Sequence, residues 1–188
     1  MVRVSSEDDL SQGDRYVNRL AQINSEAEIM LQNRSRYEAI EKATGVPWYV
    51  VGIIHNMEAS FSFSKHFHNG DPLTDRTIQV PAGRPKKGNP PFTWEESTID
   101  ALEYDKFTGR TDWHLARILF SLERYNGFGY RKKYGGQSPY LWSCSSKFLS
   151  GRYVNDGVFD PNAESKQCGA GIFLKSLVDR GVVTLATD

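Results

Sequence analysis

The chain has 188 residues, with 39% apolar and 24% charged side chains, an ordinary profile for a soluble domain with a real core. Lys plus Arg and Asp plus Glu each number 23, so the formal net charge is zero, which argues against a nucleic-acid binder. No run of about 18 apolar residues exists to span a membrane, and the opening MVRVSSEDDLSQGD has no apolar core of a secretory signal.

Residues 1–10 read as a polar tail. Ser11 is placed to cap a helix over 13–33, in which Val17, Leu20, Ile23, Ala27 and Met30 or Leu31 follow a three-four rhythm. A second helix over 34–43 stops at Gly45. Pro47 suits the first position of a third, which runs to about Glu58. That third stretch is apolar on nearly every side until His55, the mark of a central, buried element.

Residues 59–92 change character. Asn69-Gly70-Asp71-Pro72, Pro81-Ala82-Gly83-Arg84-Pro85 and Asn89-Pro90-Pro91 are turn chemistry, with a short hairpin expected around Arg76–Val80. A loop of this length in a compact domain is usually one that binds or covers a ligand, and Phe61, Phe63, Phe67, Ile78 and Phe92 give it apolar anchors. Thr93-Trp94-Glu95-Glu96 spells a capping box for a fourth helix closed by Gly109. Thr111 or Asp112 opens a fifth, which ends near Tyr125-Asn126-Gly127. Residues 126–159 form a second loop-rich stretch in which glycines alternate with aromatics. Asp160-Pro161 then reads as the cap and first residue of the last helix, with Gly181 its stop. The two cysteines, Cys144 and Cys168, make no metal pattern; they are read as two buried thiols, with a single disulfide as the alternative.

The chemistry centres on Glu58. A carboxyl at the end of a buried helix, among apolar and aromatic neighbours, is able to keep a proton near neutral pH, as a general acid for a glycosidic bond requires. The alternative is an ordinary helix-end glutamate, exposed or paired with Lys65. Asp71 and Asp75 follow at a spacing that allows a loop to return, and either can orient or deprotonate water; both are equally good turn residues. Thr77 offers a hydroxyl for the same water. His55, His66 and His68 are not in a zinc-site order, and no metal is expected. His55 reads as a hydrogen-bonding partner below the cleft, His66 and His68 as loop anchors or sugar contacts. Tyr125, Asn126, Tyr130, Gln137 and Trp142 combine aromatic faces with amides, a mixture that suits sugar rings and equally suits core packing around glycine turns. The Arg131-Lys132-Lys133 run and the Lys86-Lys87 pair are solvated surface, or weak attractors of an anionic wall.

Taken as a series, Ile54-His55-Asn56-Met57-Glu58-Ala59-Ser60-Phe61, His68-Asn69-Gly70-Asp71-Pro72-Leu73, Val80-Pro81-Ala82-Gly83-Arg84-Pro85, Phe92-Thr93-Trp94-Glu95-Glu96-Ser97, Tyr125-Asn126-Gly127-Phe128-Gly129-Tyr130, Ser138-Pro139-Tyr140-Leu141-Trp142-Ser143 and Gln167-Cys168-Gly169-Ala170 resembles phage and prophage peptidoglycan hydrolases of lysozyme type. The resemblance covers roughly residues 45–175. Glu58 matches the catalytic glutamate that ends a core helix in that superfamily. Glu58-Ala59-Ser60-Phe61 is similar to the Glu-Ser-x-Phe signature of goose-type lysozymes and lytic transglycosylases. Tyr125-Asn126-Gly127 is similar to their Tyr-Asn-x-Gly segment with the intervening residue missing. Another phage branch places a Thr six residues after its Asp, as Asp71 and Thr77 stand here, although the Glu-to-Asp interval is thirteen rather than nine.

The resemblance implies a mainly α (α+β lysozyme-like) fold, two lobes around a substrate cleft, with about seven helices, a small hairpin and long loops. It further implies a single catalytic domain over 11–188, monomeric and without cofactor. The expected reaction is muramidase cleavage of the β-1,4 bond between N-acetylmuramic acid and N-acetylglucosamine in peptidoglycan glycan strands. In it Glu58 is the acid, with Asp71, Thr77 and Asp75 around the water. A lytic transglycosylase forming 1,6-anhydro ends and a silent wall-binding protein are the alternatives. Synthesis in a host cytoplasm and action on the wall after release complete the expectation.

Overall fold

The apolar rhythm of the sequence becomes helix almost wherever it occurs. The computed structural model describes residues 14–134, 137–148, 150–155 and 157–186. Among them are eight helices: α1 (Asp14–Gln32), α2 (Arg34–Thr44), α3 (Trp48–Ala59), α4 (Trp94–Tyr104), α5 (Leu115–Asn126), α6 (Gly129–Tyr134), α7 (Pro139–Trp142) and α8 (Ala170–Asp179). One antiparallel pair, β1 (Arg152–Asn155) and β2 (Val158–Asp160), completes the set. The fold is therefore mainly helical. The tail 1–10, the cap at Ser11, the glycines Gly135 and Gly136 and the side chain of Val17 lie outside the described residues.

The chain packs as two compact units. A discontinuous one comprises Met1–Ala27 and His114–Asp188, and a continuous one comprises Glu28–Trp113.

In the continuous unit, α2 stops where Gly45 takes φ 75° and returns its N–H to the Glu41 carbonyl at 2.7 Å. Pro47 is the cap of α3 rather than its first residue, its extended ψ of 136° preceding the turn. The Glu41 carboxylate takes the free N–H of Trp48 at 3.2 Å, satisfying one orphan donor of the new helix. Val50, Val51, Ile53 and Ile54 of α3 have no exposed surface, so the helix is buried on nearly all sides as its composition requires. Gly52 makes room for Met30 of α1: a Cβ there would stand 2.5 Å from the Met30 Cε. The capping box at Thr93 forms as read, with Thr93 Oγ1 receiving the Glu96 N–H and the Glu96 carboxylate receiving the Thr93 N–H.

Four local expectations change. No strand forms at Arg76–Val80, because the amides of Ile78 and Gln79 go to the Asp71 side chain instead of a partner strand. Helix α4 ends at Tyr104, well before Gly109. Lys106 takes the left-handed turn (φ 56°), and the buried Phe107 returns its N–H to the Leu102 carbonyl at 2.9 Å. The fifth helix starts at Leu115, with His114 as its cap, rather than at Thr111 or Asp112. Asp160-Pro161 opens no helix: Asp160 closes β2 opposite Arg152, and its Oδ1 accepts the Asn162 N–H at 2.8 Å, an Asx turn that uses the same residue types as a cap.

The discontinuous unit is organised around α5, α7 and α8, with Ile118, Leu122, Leu141, Phe173, Leu174 and Leu177 buried. Cys144 and Cys168 are joined in a disulfide, which corrects the reading as two thiols and closes the chain around the β1–β2 hairpin. Beside it Gly169 presses on α7: a Cβ there would lie 2.3 Å from the backbone carbon and oxygen of Leu141. Gly169→Ala is expected to cost about 2 kcal/mol or more by overpacking against immovable backbone. Gly129→Ala, where nothing stands within 4 Å, is expected to stay within about 0.5 kcal/mol of the parent. Urea unfolding of both variants checks the contrast.

Candidate active site

Glu58 stands on the last turn of α3, half-buried, the one carboxyl in a helix whose other side chains are mostly apolar. The chain leaves that helix abruptly. Ser60 (φ 48°) and Phe61 (φ 60°) are both left-handed without being glycine, at a cost of about 1–2 kcal/mol each. The Ser60 N–H closes on the Asn56 carbonyl at 2.9 Å, and Phe61 buries its ring. The loop then comes back to the helix end: a Cβ on Gly70 (φ 79°) would stand 2.8 Å from the Glu58 carbonyl oxygen, so only a glycine fits against Glu58 there.

His55, one turn before Glu58, is fully buried, with both ring nitrogens engaged. Its Nε2 faces the Ser62 carbonyl at 3.2 Å, so that nitrogen carries the proton; Nδ1 then accepts from the Tyr37 hydroxyl at 3.0 Å. Burial pushes the imidazole down to about 4, despite the hydrogen bond to Ser62, and pushes the Tyr37 phenol up. Phe61, Phe63, Phe67 and Trp94 surround the ring. His55 therefore pins the loop start to α2 and α3 from inside, which removes it from direct substrate contact.

His68 is also internal. Its Nε2 donates to Asp100 Oδ2 at 2.9 Å, and its side chain has no exposed surface. Burial again dominates and lowers it to about 4, against the opposing pull of Asp100. Asp100 on α4 is the hub of the loop: the same Oδ2 accepts Arg84 Nε at 2.8 Å and Oδ1 accepts the Lys86 N–H at 3.2 Å. One turn earlier on α4, the Ser97 hydroxyl meets His66 Nδ1 at 2.8 Å, while His66 Nε2 donates to the Asp75 carbonyl at 2.7 Å. Asp100, Ser97 and Arg84 were absent from the sequence-based candidates. The available signal was the pair of small polar residues three apart on one face of α4, facing a loop rich in histidine.

Asp71 is buried, and its Oδ2 accepts two backbone N–H groups, from Ile78 at 2.8 Å and Gln79 at 2.9 Å. Neither amide takes its other oxygen. The Thr77 hydroxyl donates to the Pro81 carbonyl and accepts the Arg84 N–H at 2.9 Å, so it is able to receive a hydrogen bond from water but has no proton left to give one. Asp75 points outward, its Oδ1 accepting the N–H of Arg76 at 2.7 Å. Glu58, Asp71, Thr77, Asp75, His55 and His68 all belong to the continuous unit. Among the described residues no group of three or more His, Cys, Asp or Glu is arranged to hold a metal ion.

The remaining candidates belong to the discontinuous unit. Asn126 is exposed at the end of α5, and Gln137 is exposed before α7. Tyr125 and Trp142 are half-buried, with Lys147 Nζ 5.7 Å over the Trp142 ring. Tyr130 stands edge-on to Tyr153 at 5.6 Å, and its hydroxyl accepts the Tyr153 N–H at 3.0 Å.

Comparison with known protein families, curated proteins and solved structures finds no match. No helix among the described residues is long and apolar enough to cross a membrane.

Asp71→Ala is expected to destabilise the loop by about 1–3 kcal/mol, through loss of two charge-assisted hydrogen bonds. Hydrogen exchange checks it: the amides of Ile78 and Gln79 are expected to lose protection while those of α3 keep theirs. A second prediction concerns acid. His55 and His68 titrate near 4 in the folded chain and near 6.5 when free, so between those values the unfolded chain binds more protons. Their contribution is complete above about pH 6.5 and is lost as the pH falls toward 4, and unfolding at pH 5 is expected to require about 2–4 kcal/mol less than at pH 7. NMR is expected to show both rings still neutral at pH 5.

Proposed function

We propose that the chain cleaves the glycan strands of peptidoglycan at the β-1,4 bond between N-acetylmuramic acid and N-acetylglucosamine, with Glu58 as the general acid. The single supporting observation is the setting of Glu58: one carboxyl, partly open to solvent, on the last turn of a helix most of whose side chains are buried in the core. The resemblance of residues 45–175 to lysozyme-type hydrolases points to the same residue.

In this reading Glu58 passes its proton to the bridging oxygen as the bond to the muramic C1 breaks and positive charge develops on that sugar. Water then attacks C1 and returns a proton to the site. Asp71 holds that water through the carboxylate oxygen not used by the Ile78 and Gln79 amides, and Thr77 accepts from it. A two-lobed lysozyme-like architecture is part of the same proposal.

The hydrogen bonding of Asp71 favours a second reading. A carboxylate already committed to two loop amides is a poor mobile base, and a lytic transglycosylase needs none. The muramic C6 hydroxyl would then attack C1 and leave a 1,6-anhydro end. Assays on purified peptidoglycan separate these cases. Glu58→Gln is expected to lower turnover by about 10²–10⁴-fold without loss of fold. Asp71→Asn is expected to cost more than Asp75→Asn. Reducing muramic ends in the wild-type products support hydrolysis, and anhydro ends support the transglycosylase. Wild-type turnover that survives Glu58→Gln intact overturns both.

A further inference from the structure

The tip of the loop, Ile78-Gln79-Val80, has an unusual construction. Ile78 is 83% exposed and Val80 is 88% exposed, the highest values among the large apolar residues described. Branched apolar side chains at a loop tip ordinarily fold inward or give way to polar residues. Here the backbone is tied down so that they do not. The Ile78 and Gln79 amides are held by Asp71, and the Asn69 side-chain amide donates to the Gln79 carbonyl at 3.0 Å. The base of the tip is pinched shut, with the Thr77 N–H on the Arg84 carbonyl at 2.8 Å and the Gly83 N–H on the Thr77 carbonyl at 2.7 Å.

Two further facts give the tip a direction and a charge. Asn69 and Asp71 flank Gly70, which rests on the Glu58 carbonyl, so the tip is fixed relative to the candidate acid through one short chain of contacts. Lys86 folds back over the same loop, its Nζ 3.3 Å from where a Gly83 Cβ would stand, and Lys87 beside it is exposed. Two exposed branched apolar side chains and two exposed lysines on one loop match a ligand that offers small methyl groups and carboxylates together.

We infer that this tip binds the peptide stem borne by the muramic sugar, an inference that rests on the glycan-cleaving reading of Glu58. The stem is a short chain of alanine methyls and free carboxylates attached beside the bond to be cut. A strand stripped of its stems keeps only the single lactyl carboxylate of each muramic sugar, without the row of alanine methyls and further carboxylates that the stem supplies. Ile78 and Val80 take the methyls, and Lys86 and Lys87 take the carboxylates. The pair of apolar side chains is small for anchoring to a bilayer, which needs a larger buried apolar face or more than one signal.

The test compares wild type with I78S/V80S and K86E/K87E on glycan strands carrying intact stems and on the same strands after amidase removal of the stems. Thermal melting confirms that each variant is folded. The wild type is expected to prefer stemmed strands, and each double variant is expected to reduce that preference by about tenfold, through KM rather than kcat. In parallel, the methyl resonances of Ile78 and Val80 are followed during titration with a soluble disaccharide-peptide, with the peptide-free disaccharide, and with anionic phospholipid vesicles. Shifts with the disaccharide-peptide alone support the inference. An unchanged preference in folded variants overturns it, as do shifts produced by vesicles and not by the disaccharide-peptide. If the wild type cleaves neither strand, the glycan-cleaving reading fails, and the methyl shifts then decide by themselves whether the stem contact exists.

Discussion

Everything around Glu58 depends on how the chain leaves α3. Two successive left-handed residues that are not glycine reverse the backbone within one turn of the carboxyl. Such a conformation persists only where packing over-determines it. Phe61 buried against His55 and the Ser60 N–H closing on Asn56 supply that packing. The reversal brings Gly70 back onto the Glu58 carbonyl and sets the start of the long loop. Without it, the loop would leave the helix end instead of returning to the Glu58 carbonyl.

The long loop is held by polar groups more than by apolar ones. Asp100 and Ser97 on α4, His66 and His68 in the loop, Asp71 and Thr77 further along, and Arg76 and Arg84 beyond them form a set of internal hydrogen bonds that replaces a strand ladder. Each backbone group so captured would otherwise need water or a neighbouring strand. Two of the histidines are kept neutral by burial, and they act as fixed donors and acceptors within the scaffold.

Most of the longer helices were legible in the sequence, whereas α6 and α7 fall in a stretch read as loop, and of the long loop at 59–92 only its existence was legible. The apolar run of α3, the Gly45 stop and the Thr93 capping box follow from periodicity and from short-range chemistry confined to a few residues. The boundaries that moved did so where one residue type serves two ends. Asp160 makes an Asx turn as readily as a cap, and Lys106 takes a left-handed turn without the glycine that would have announced it. Asp71 was legible as a residue of interest, but its capture of the amides at 78 and 79 was not, because the partners of a buried carboxylate are set by tertiary return of the chain. The same holds for Asp100, whose bonds to His68 and Arg84 span 32 and 16 positions. The pairing of Cys144 with Cys168 depended on the approach of α7 to α8.

The order of the two units along the chain has a consequence for synthesis. The continuous unit has its whole set of residues outside the ribosome once Trp113 has emerged, and its core is able to condense from that point. The discontinuous unit joins residues before Glu28 to residues after Trp113, so the part of α1 that belongs to it, up to Ala27, must wait until α8 has been translated. Loss of α8 would thus leave that part of α1 without its own core, while the stretch from Glu28 to Trp113, which contains Glu58, keeps every residue of its unit.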